Sequence, residues 1–277
     1  ICLREVKRLS GDKNLVVTNK GYAGIGSLDW VAFNTGKKPF DDVRVRQAAA
    51  YAIDRNFFAK VIMMGLVTPS ATPITPFSPF YTKDVNMYDV NLEKAKKLLD
   101  EAGYPVKADG TRFTVTVDYA PGSPTTKMMA EYLKPQLAKV GIDAKIRISP
   151  DFGTWAERVS NYNFDITTDN VFNWGDPVIG VHRTYSSANI VKGVPFSNTQ
   201  QYRNPKVDAI MEQAASEVDN EKRAKLYKEF QQIVMNDVPI YFMTTTAYHT
   251  IYNKRAGNVP ASIWGFLAPY MDVYLKK

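Results

Sequence analysis

The sequence predicts an α/β fold with a mostly buried sheet. Phe113, Val115 and Val117 alternate with polar neighbours, which is the pattern of a half-buried strand. Helical and strand patterns then follow in turn as far as Thr168. This order of strand, helix, strand, helix and strand is typical of a sheet covered by helices. The chain has 277 residues, 45% of them hydrophobic, which is enough to bury such a core.

The stretch 39–73 predicts two helices followed by an extended connection. Asp41 and Asp42 can cap a helix start, where their charge suits the positive end of the helix. Apolar residues then recur at helical spacing, and we expect Arg46 and Arg55 to lie outside that apolar face. Four prolines between residues 69 and 79 exclude further helix. We therefore expect a long connection on the surface after the second helix.

The other elements follow from periodicity and from turn residues. Helices are predicted at 89–102, 129–140, 154–159, 205–216 and 220–236. Strands are predicted at 15–18, 28–34, 113–118, 144–148, 164–168 and 239–246. Between 170 and 201 the sequence is rich in Asn, Gly, Ser and aromatic residues, which predicts a long loop.

Composition excludes several classes of protein. No stretch approaches the roughly 20 apolar residues of a membrane span. The net charge is +7, but the basic residues are interleaved with 28 acidic residues and form no block. We therefore expect no nucleic-acid partner. Neither His182 nor His249 has a second His or Cys at metal-ligand spacing in the sequence, and Cys2 is the only cysteine. We therefore expect no metal site, no cofactor and no catalytic residues.

The segment 170–176 is the best candidate for contact with a ligand. It follows a predicted strand and combines amide side chains, two rings and a Gly-Asp-Pro turn, a mixture that binding pockets use. We assign Asn170, Phe172, Asn173, Trp174 and Asp176 to the site. Two structural alternatives stay open: the rings can fill the core, and the aspartate can cap a turn.

Several motifs, in order along the chain, resemble one known family. They are PFDDVRVRQAAAYAIDRNFF with a Pro-Ser-Ala-Thr-Pro run after it, YDVNLEKAKKLLDEAGY, Gly141-Ile142, Trp174-Gly175-Asp176-Pro177, Ser197-Asn198, YRNPKVDAI and Asp237-Val238-Pro239. This ordered set is similar to the family 5 extracellular solute-binding proteins, the peptide- and nickel-type receptors of bacterial ABC importers. The resemblance spans nearly the whole chain.

The resemblance implies a periplasmic-binding-protein-like fold of type II, with two lobes and a mixed sheet flanked by helices. Residues 1–38 would be part of the first lobe and a crossing strand, 39–246 the second lobe, and 247–277 a return to the first lobe. It also implies a monomer in the bacterial periplasm or another extracytoplasmic location. An ABC permease in the membrane would be its partner. Family members have roughly twice this length, so we expect an N-terminal half of the same protein outside this sequence.

Two departures from the family pattern bear on the ligand. Dipeptide receptors of the family carry a carboxylate where this chain has Asn173, and an arginine where it has Ala120. Both charge-assisted hydrogen bonds to a zwitterionic dipeptide would therefore be lost. Trp155 and Tyr119, together with the residues of 170–176, instead suit an oligopeptide, a saccharide or a similar polar solute. An enzyme such as a hydrolase on a related scaffold, and a chemosensory or interaction receptor, are the alternatives.

Overall fold

The computed structural model describes residues 3–246 and 248–277. The helices are α1 (Leu3–Ser10), α2 (Val43–Ala52), α3 (Arg55–Phe57, continued by a π-helix, Phe58–Ile62), α4 (Leu92–Glu101), α5 (Pro124–Ala138), α6 (Phe152–Ser160), α7 (Pro177–Gly180), α8 (His182–Tyr185), α9 (Pro205–Ser216) and α10 (Asn220–Asp237). The strands are β1 (Leu15–Thr18), β2 (Ser27–Phe33), β3 (Phe113–Tyr119), β4 (Ile142–Arg147), β5 (Ile166–Phe172), β6 (Ile240–Thr245), β7 (Thr250–Asn253), β8 (Ala256–Gly257) and β9 (Tyr274–Leu275). Short 3₁₀ turns lie at Ser187–Asn189 and Gly265–Leu267.

Five strands form one mixed sheet in the order β4-β3-β5-β2-β6. Strand β3 is parallel to β4 and β5, whereas β2 is antiparallel to both of its neighbours, β5 and β6. Helix α5 covers one face, where the Thr168 hydroxyl donates to the Thr126 carbonyl. Helix α6 covers the other, where the Trp155 indole N–H donates to the Thr167 hydroxyl. This arrangement confirms the predicted α/β fold with helices on both faces of a mixed sheet.

The prediction that Arg46 and Arg55 lie outside the buried face was wrong. Their exposed fractions are 6% and 5%. Arg46 donates to the carbonyls of Phe40 and Asp237, and Arg55 donates to the Ser70 carbonyl. A guanidinium can be buried when carbonyl oxygens accept its hydrogen bonds, and apolar periodicity gives no sign of such partners.

The proline-rich connection was also predicted incorrectly, because much of it lies inside the protein. Residues 70–75 are buried. Pro69 forms an isolated antiparallel bridge with Thr244, and the Ser70 N–H donates to the Met243 carbonyl at 3.1 Å. The segment therefore covers the outer edge of β6, where a row of unpaired backbone groups would otherwise remain.

Other boundaries differ from the predicted ones. Helix α1 lies in a part of the chain where no helix was predicted. Helix α4 starts later than predicted, because the side chain of Asn91 accepts the Lys94 N–H and caps the helix there. Strand β5 continues to Phe172, where a loop was predicted, although Asp169 and Asn170 seldom occur in strands. These two residues pair with Trp30 and Asp29 of β2.

Two strands at opposite ends of the chain form a separate small ladder. Strand β1 pairs with β7 in antiparallel register, from Leu15 opposite Asn253 to Thr18 opposite Thr250. Strand β2, which falls within the range assigned to the first lobe and the crossing strand, lies in the five-stranded sheet. Hydrogen bonding thus joins β2 to the sheet that contains β3 and β5. The division of the chain into lobes stays a prediction.

Candidate functional site

The candidate site lies at one edge of the five-stranded sheet. Strands β3, β5 and β6 run in the same direction, so that their carboxyl ends, Tyr119, Phe172 and Thr245, point to the same edge. The antiparallel strand β2 begins there at Ser27. In open α/β sheets ligands bind outside the carboxyl ends of the strands. Five of the seven predicted site residues lie at this end of β5 or in the loop directly after it.

The loop after β5 is held against the turn that precedes β2. The backbone N–H groups of Asn173 and Trp174 donate to the carbonyls of Gly26 and Ile25, at 3.3 and 3.2 Å. Trp174 has a φ of +55°, a left-handed conformation that is uncommon for a bulky residue. The rings of Phe172 and Trp174 meet edge to face with centroids 5.1 Å apart. Both rings are partly exposed, so they form an aromatic wall at this edge.

Asn173 connects this loop to the proline-rich segment. Its side-chain oxygen accepts the Thr75 N–H at 2.6 Å, and its amide nitrogen donates to the Pro73 carbonyl at 3.3 Å. The residue is only 3% exposed. Its amide therefore holds two backbone groups in place. Asn173 would affect a ligand only indirectly, by fixing the position of this loop.

Asp176 has the structural role that the sequence had left open. Its carboxylate accepts the Val178 N–H and so caps α7. It also accepts two hydrogen bonds from Arg223, both at 2.8 Å, and this guanidinium lowers the pKa of the carboxyl group. Nearby, His182 Nε2 lies 3.0 Å from the Tyr227 hydroxyl, and burial lowers the pKa of that imidazole to about 4.

Trp155 does not join the other predicted residues. It lies on α6 and is 3% exposed. Trp155 donates its indole N–H to Thr167 of β5, whereas the next residue, Thr168, is hydrogen-bonded to helix α5. Consecutive residues of a strand point to opposite faces of the sheet. Tyr119, at the end of β3, is paired with Thr168. The sheet thus separates Trp155 from Tyr119.

Asp29 is a buried carboxylate that the sequence analysis missed. It is 1% exposed and accepts hydrogen bonds from the Thr244 and Thr246 hydroxyls, at 2.9 and 3.0 Å. Burial raises its pKa to about 6, and the two hydroxyls partly oppose that rise. A single acid in the otherwise apolar run 28–33 was the signal that could have revealed it.

A recess of about 90 Å³ opens at this edge, between the start of β2 and the end of β6. Its lining includes Ser27, Thr246, Tyr22, Tyr248 and Phe77. The Ser27 and Thr246 hydroxyls lie 2.7 Å apart, and the two tyrosine rings are stacked with centroids 5.3 Å apart. Hydroxyl groups beside aromatic rings are the mixture that binds a polar organic molecule.

Two features are absent from the described residues, a metal-binding cluster and a membrane-spanning helix. Within 3–246 and 248–277, no three His, Cys, Asp or Glu side chains are grouped closely enough to hold a metal ion. In the same part of the chain, no helix has both the length and the hydropathy that crossing a bilayer requires.

Comparison with known proteins identifies the family. Residues 3–192 match the group described as bacterial extracellular solute-binding proteins, family 5 Middle. Heme-binding protein A of Haemophilus influenzae is 34% identical over 217 residues, which are 77% of this chain and 38% of that protein. The dipeptide-binding protein of Escherichia coli is 28% identical over 261 residues, which are 92% of this chain and 46% of that protein.

A solved structure agrees with these sequence matches. HbpA2 from Haemophilus parasuis superposes with a TM-score of 0.82 at 25% identity, over 99% of this chain and 52% of that one. The chain spans about half or less of the length of these relatives. The family match nevertheless covers most of the chain, as the motifs in the sequence had indicated. This chain therefore belongs to the bacterial extracellular solute-binding proteins of family 5.

Proposed function

We propose that this chain is part of the substrate-binding component of an ABC importer, and that its solute lies at the carboxyl edge of the five-stranded sheet. The solute would be a small polar organic molecule such as an oligopeptide or a saccharide. A second lobe would close over it, and the closed receptor would deliver it to a membrane permease. At the level of the family the activity is binding and not catalysis.

One observation carries the proposal: the two connections between the main sheet and the small β1–β7 ladder both leave from this edge. One precedes β2 and the other follows β6. They are tied together by the stacked rings of Tyr22 and Tyr248, and the Tyr22 hydroxyl lies 2.6 Å from that of Thr250. Two adjacent crossings of this kind suit a hinge, because a few residues there can absorb a rotation between lobes.

The surface beyond the hinge supports a further lobe. Large apolar residues are exposed in the segment 263–275, where Met271 is 85% and Leu275 is 72% exposed. An apolar patch of this kind marks a surface that another part of a protein covers. In our proposal an N-terminal half of the same receptor covers it. The solute would then contact both lobes only in the closed state, and this differential affinity would drive closure.

The proposed location is periplasmic or otherwise extracytoplasmic, as for the family, and we expect the receptor to act as a monomer. Among the described residues no observation specifically favours an enzyme or a chemosensory partner. The chemistry at positions 120 and 173 bears on the ligand, since neither an arginine nor a carboxylate is present there. A simple dipeptide would lose two charge-assisted bonds of roughly 1.5–3 kcal/mol each.

The test is to purify the whole receptor, denature it gently and identify the released small molecule by mass spectrometry. We expect an unaltered polar solute at close to one molecule per receptor. A reaction product or a covalent adduct would support an enzyme instead. A receptor that carries no solute, and that binds none from its host's growth medium, would overturn the proposal.

A further inference from the structure

A groove of about 570 Å³ lies between helices α7 and α8 on one side and helix α9 on the other. It shares no lining residue with the recess at the carboxyl edge of the sheet. One part of its wall is apolar and is made by Val178, Met211 and Ala215. Pockets of this size, with an apolar wall and a few polar groups, hold small organic molecules. The groove is therefore large enough for a ligand of its own.

Arg183 brings an unsatisfied hydrogen-bond donor to this groove. Its Nε–H is buried, and within the described part of the chain no acceptor lies in hydrogen-bonding position for it. Arg46 and Arg55, which are also buried, differ in this respect, because main-chain carbonyls accept their hydrogen bonds. Buried donors are normally paired, so Arg183 is an exception that a bound acceptor would explain.

The positive charge of Arg183 is balanced only in part. Burial lowers the pKa of this guanidinium, and the charge of Asp169 acts in the opposite direction through space. Burial raises the pKa of Asp169 itself to about 7, so this carboxyl group is only partly ionised near neutral pH. His182 lines the groove as well, but burial lowers the pKa of its imidazole to about 4, so it adds no second positive charge. A carboxylate in the groove would therefore find a guanidinium that can still form charge-assisted hydrogen bonds.

Asp208 and Glu212 bring two carboxylates to the α9 side of the groove. They are four residues apart on α9, so they lie on the same side of that helix. One oxygen of Asp208 accepts the Ser187 N–H at 2.9 Å, which holds this carboxylate in place. A simple anion bound at Arg183 would be repelled by both carboxylates. A ligand that carries an ammonium group beside its own carboxylate would be attracted by both sides of the groove.

We propose that this groove binds a free α-amino acid with an apolar side chain. The carboxylate of the ligand pairs with Arg183, its ammonium group pairs with Asp208 and Glu212, and its side chain packs on Val178 and Met211. The three parts of such a ligand match the cation, the two anions and the apolar wall of the groove. The site is separate from the solute site at the carboxyl edge and does not depend on the importer assignment.

The test uses the whole receptor labelled with ¹⁵N and titrated with L-leucine up to about 20 mM, a range that reveals weak binding. The Arg183 Nε–H resonance and the backbone amide of Asn189, which lines the groove, should shift with a saturating dependence. Arg183→Met removes the cation and should weaken binding, measured at the Asn189 amide, at least about tenfold, as expected for a lost hydrogen bond between charged groups. Arg8→Met removes a guanidinium that is 66% exposed, and it should leave binding unchanged.

Two analogues of L-leucine separate the roles of its two charges. 3-Methylbutylamine lacks the carboxylate and should bind at least about tenfold more weakly than L-leucine. 4-Methylpentanoate lacks the ammonium group and should bind at least about fivefold more weakly, because Asp208 and Glu212 repel it.

A double variant, Asp208→Asn with Glu212→Gln, should change the affinities for two of these ligands in opposite directions. It removes both negative charges, while the asparagine keeps an oxygen that can accept the Ser187 N–H. L-leucine should bind more weakly than it does to the parent protein, and 4-methylpentanoate should bind more tightly. Glu131→Gln is the matched control, because Glu131 is a 54% exposed acid on α5, and it should change neither affinity by more than about twofold.

Three results would overturn the proposal. Resonances of Arg183 and Asn189 that do not move with L-leucine would mean that the groove holds water only. Equal affinity for inorganic phosphate and for L-leucine would make it a simple anion site. L-leucine binding that is unchanged in the double variant would remove the role assigned to Asp208 and Glu212. If Arg183→Met does not fold, the double variant and the two analogues decide the matter.

Discussion

Arg223 donates two hydrogen bonds of 2.8 Å to the carboxylate of Asp176, and this pair joins the loop after β5 to helix α10. The guanidinium also lies 4.8 Å from the ring centre of Phe80. The turn that follows the aromatic wall is therefore held by a charged pair and a ring contact together. The position of Trp174 depends on that turn.

Removing the guanidinium should loosen this loop. Arg223→Met keeps a long apolar stem but leaves Asp176 without its charged partner. Because the aspartate side chain is 37% exposed, the expected loss in the free energy of unfolding is only about 1 kcal/mol. Denaturant unfolding measures it, and hydrogen exchange at the Trp174 backbone amide should become faster as the loop loosens.

Lys206→Met is the matched control for this change. Lys206 and Glu229 form an ion pair of 2.7 Å in which both side chains are well exposed, at 65% and 45%. Its removal should change the free energy of unfolding by less than about 0.5 kcal/mol. Equal effects of the two substitutions would mean that Arg223 contributes only surface charge.

Asn173 should be needed for the position of the proline-rich segment. Asn173→Ala leaves the buried Thr75 N–H and Pro73 carbonyl without their partner, which should cost about 2 kcal/mol of unfolding free energy. Hydrogen exchange at the Thr75 amide should become faster. Asn161→Ala removes an exposed asparagine that donates to the Glu157 carbonyl, and it should have little effect. A Thr75 amide that stays protected in Asn173→Ala would contradict the role assigned to this residue.

Two buried carboxyl groups should make stability depend on pH. Burial raises the pKa of Asp29 to about 6 and that of Asp169 to about 7, so the folded state holds their protons more tightly than the unfolded state does. The free energy of unfolding should therefore fall as the pH rises from about 4, the unfolded value, through 6 and 7. At about 1.4 kcal/mol for each pH unit by which a pKa is raised, the fall for the two groups together should be on the order of 7 kcal/mol.

The pH dependence can be assigned with a pair of substitutions. Asp169→Asn removes one of the two titrating groups and should flatten the fall, with most of the gain in stability at pH 8. Asp84→Asn, at a side chain that is 68% exposed, should leave the fall in place. Thermal unfolding at pH 5 and pH 8 measures both. Identical slopes in the two variants would exclude Asp169 as a source of the dependence.

The chemistry at positions 120 and 173 predicts weak binding of simple dipeptides by the whole receptor. Ala120 is 4% exposed and packs near Trp155, and Asn173 is already bonded to the backbone. Neither supplies a free charge for a zwitterion. Calorimetric titration with alanylalanine should give a dissociation constant above about 0.1 mM. Tight binding would show that other residues supply these charges.

The fold was easier to predict from the sequence than the site was. The alternation around Phe113 and the helical period at Val45 report burial directly, and both elements lie where they were predicted. Arg46 and Arg55 were misplaced because their carbonyl partners come from distant parts of the chain. Long-range partners of this kind leave no local pattern in the sequence.

The site shows the same limit more strongly. The residue types of the segment 170–176 were enough to predict that Phe172 and Trp174 belong to the site. The hydrogen bonds of Asn173 to residues 73 and 75 were not predictable, because they depend on where the proline-rich segment packs in the folded protein. Asp29 and Asp169 lie on paired strands, and their burial follows from the sheet order. A period of two residues predicts a face of a strand, and it does not predict which strand lies beside it.

The most direct test of the central claim is hydrogen–deuterium exchange of the whole receptor with and without the solute recovered from it. If the solute lies at the carboxyl edge, protection should increase at the backbone amides of residues 25–28, 172–175 and 244–246. It should increase as well in the two connections to the β1–β7 ladder as the hinge closes. Protection confined to α9 and α10, with no change at the edge formed by Ser27, Phe172 and Thr245, would contradict the account.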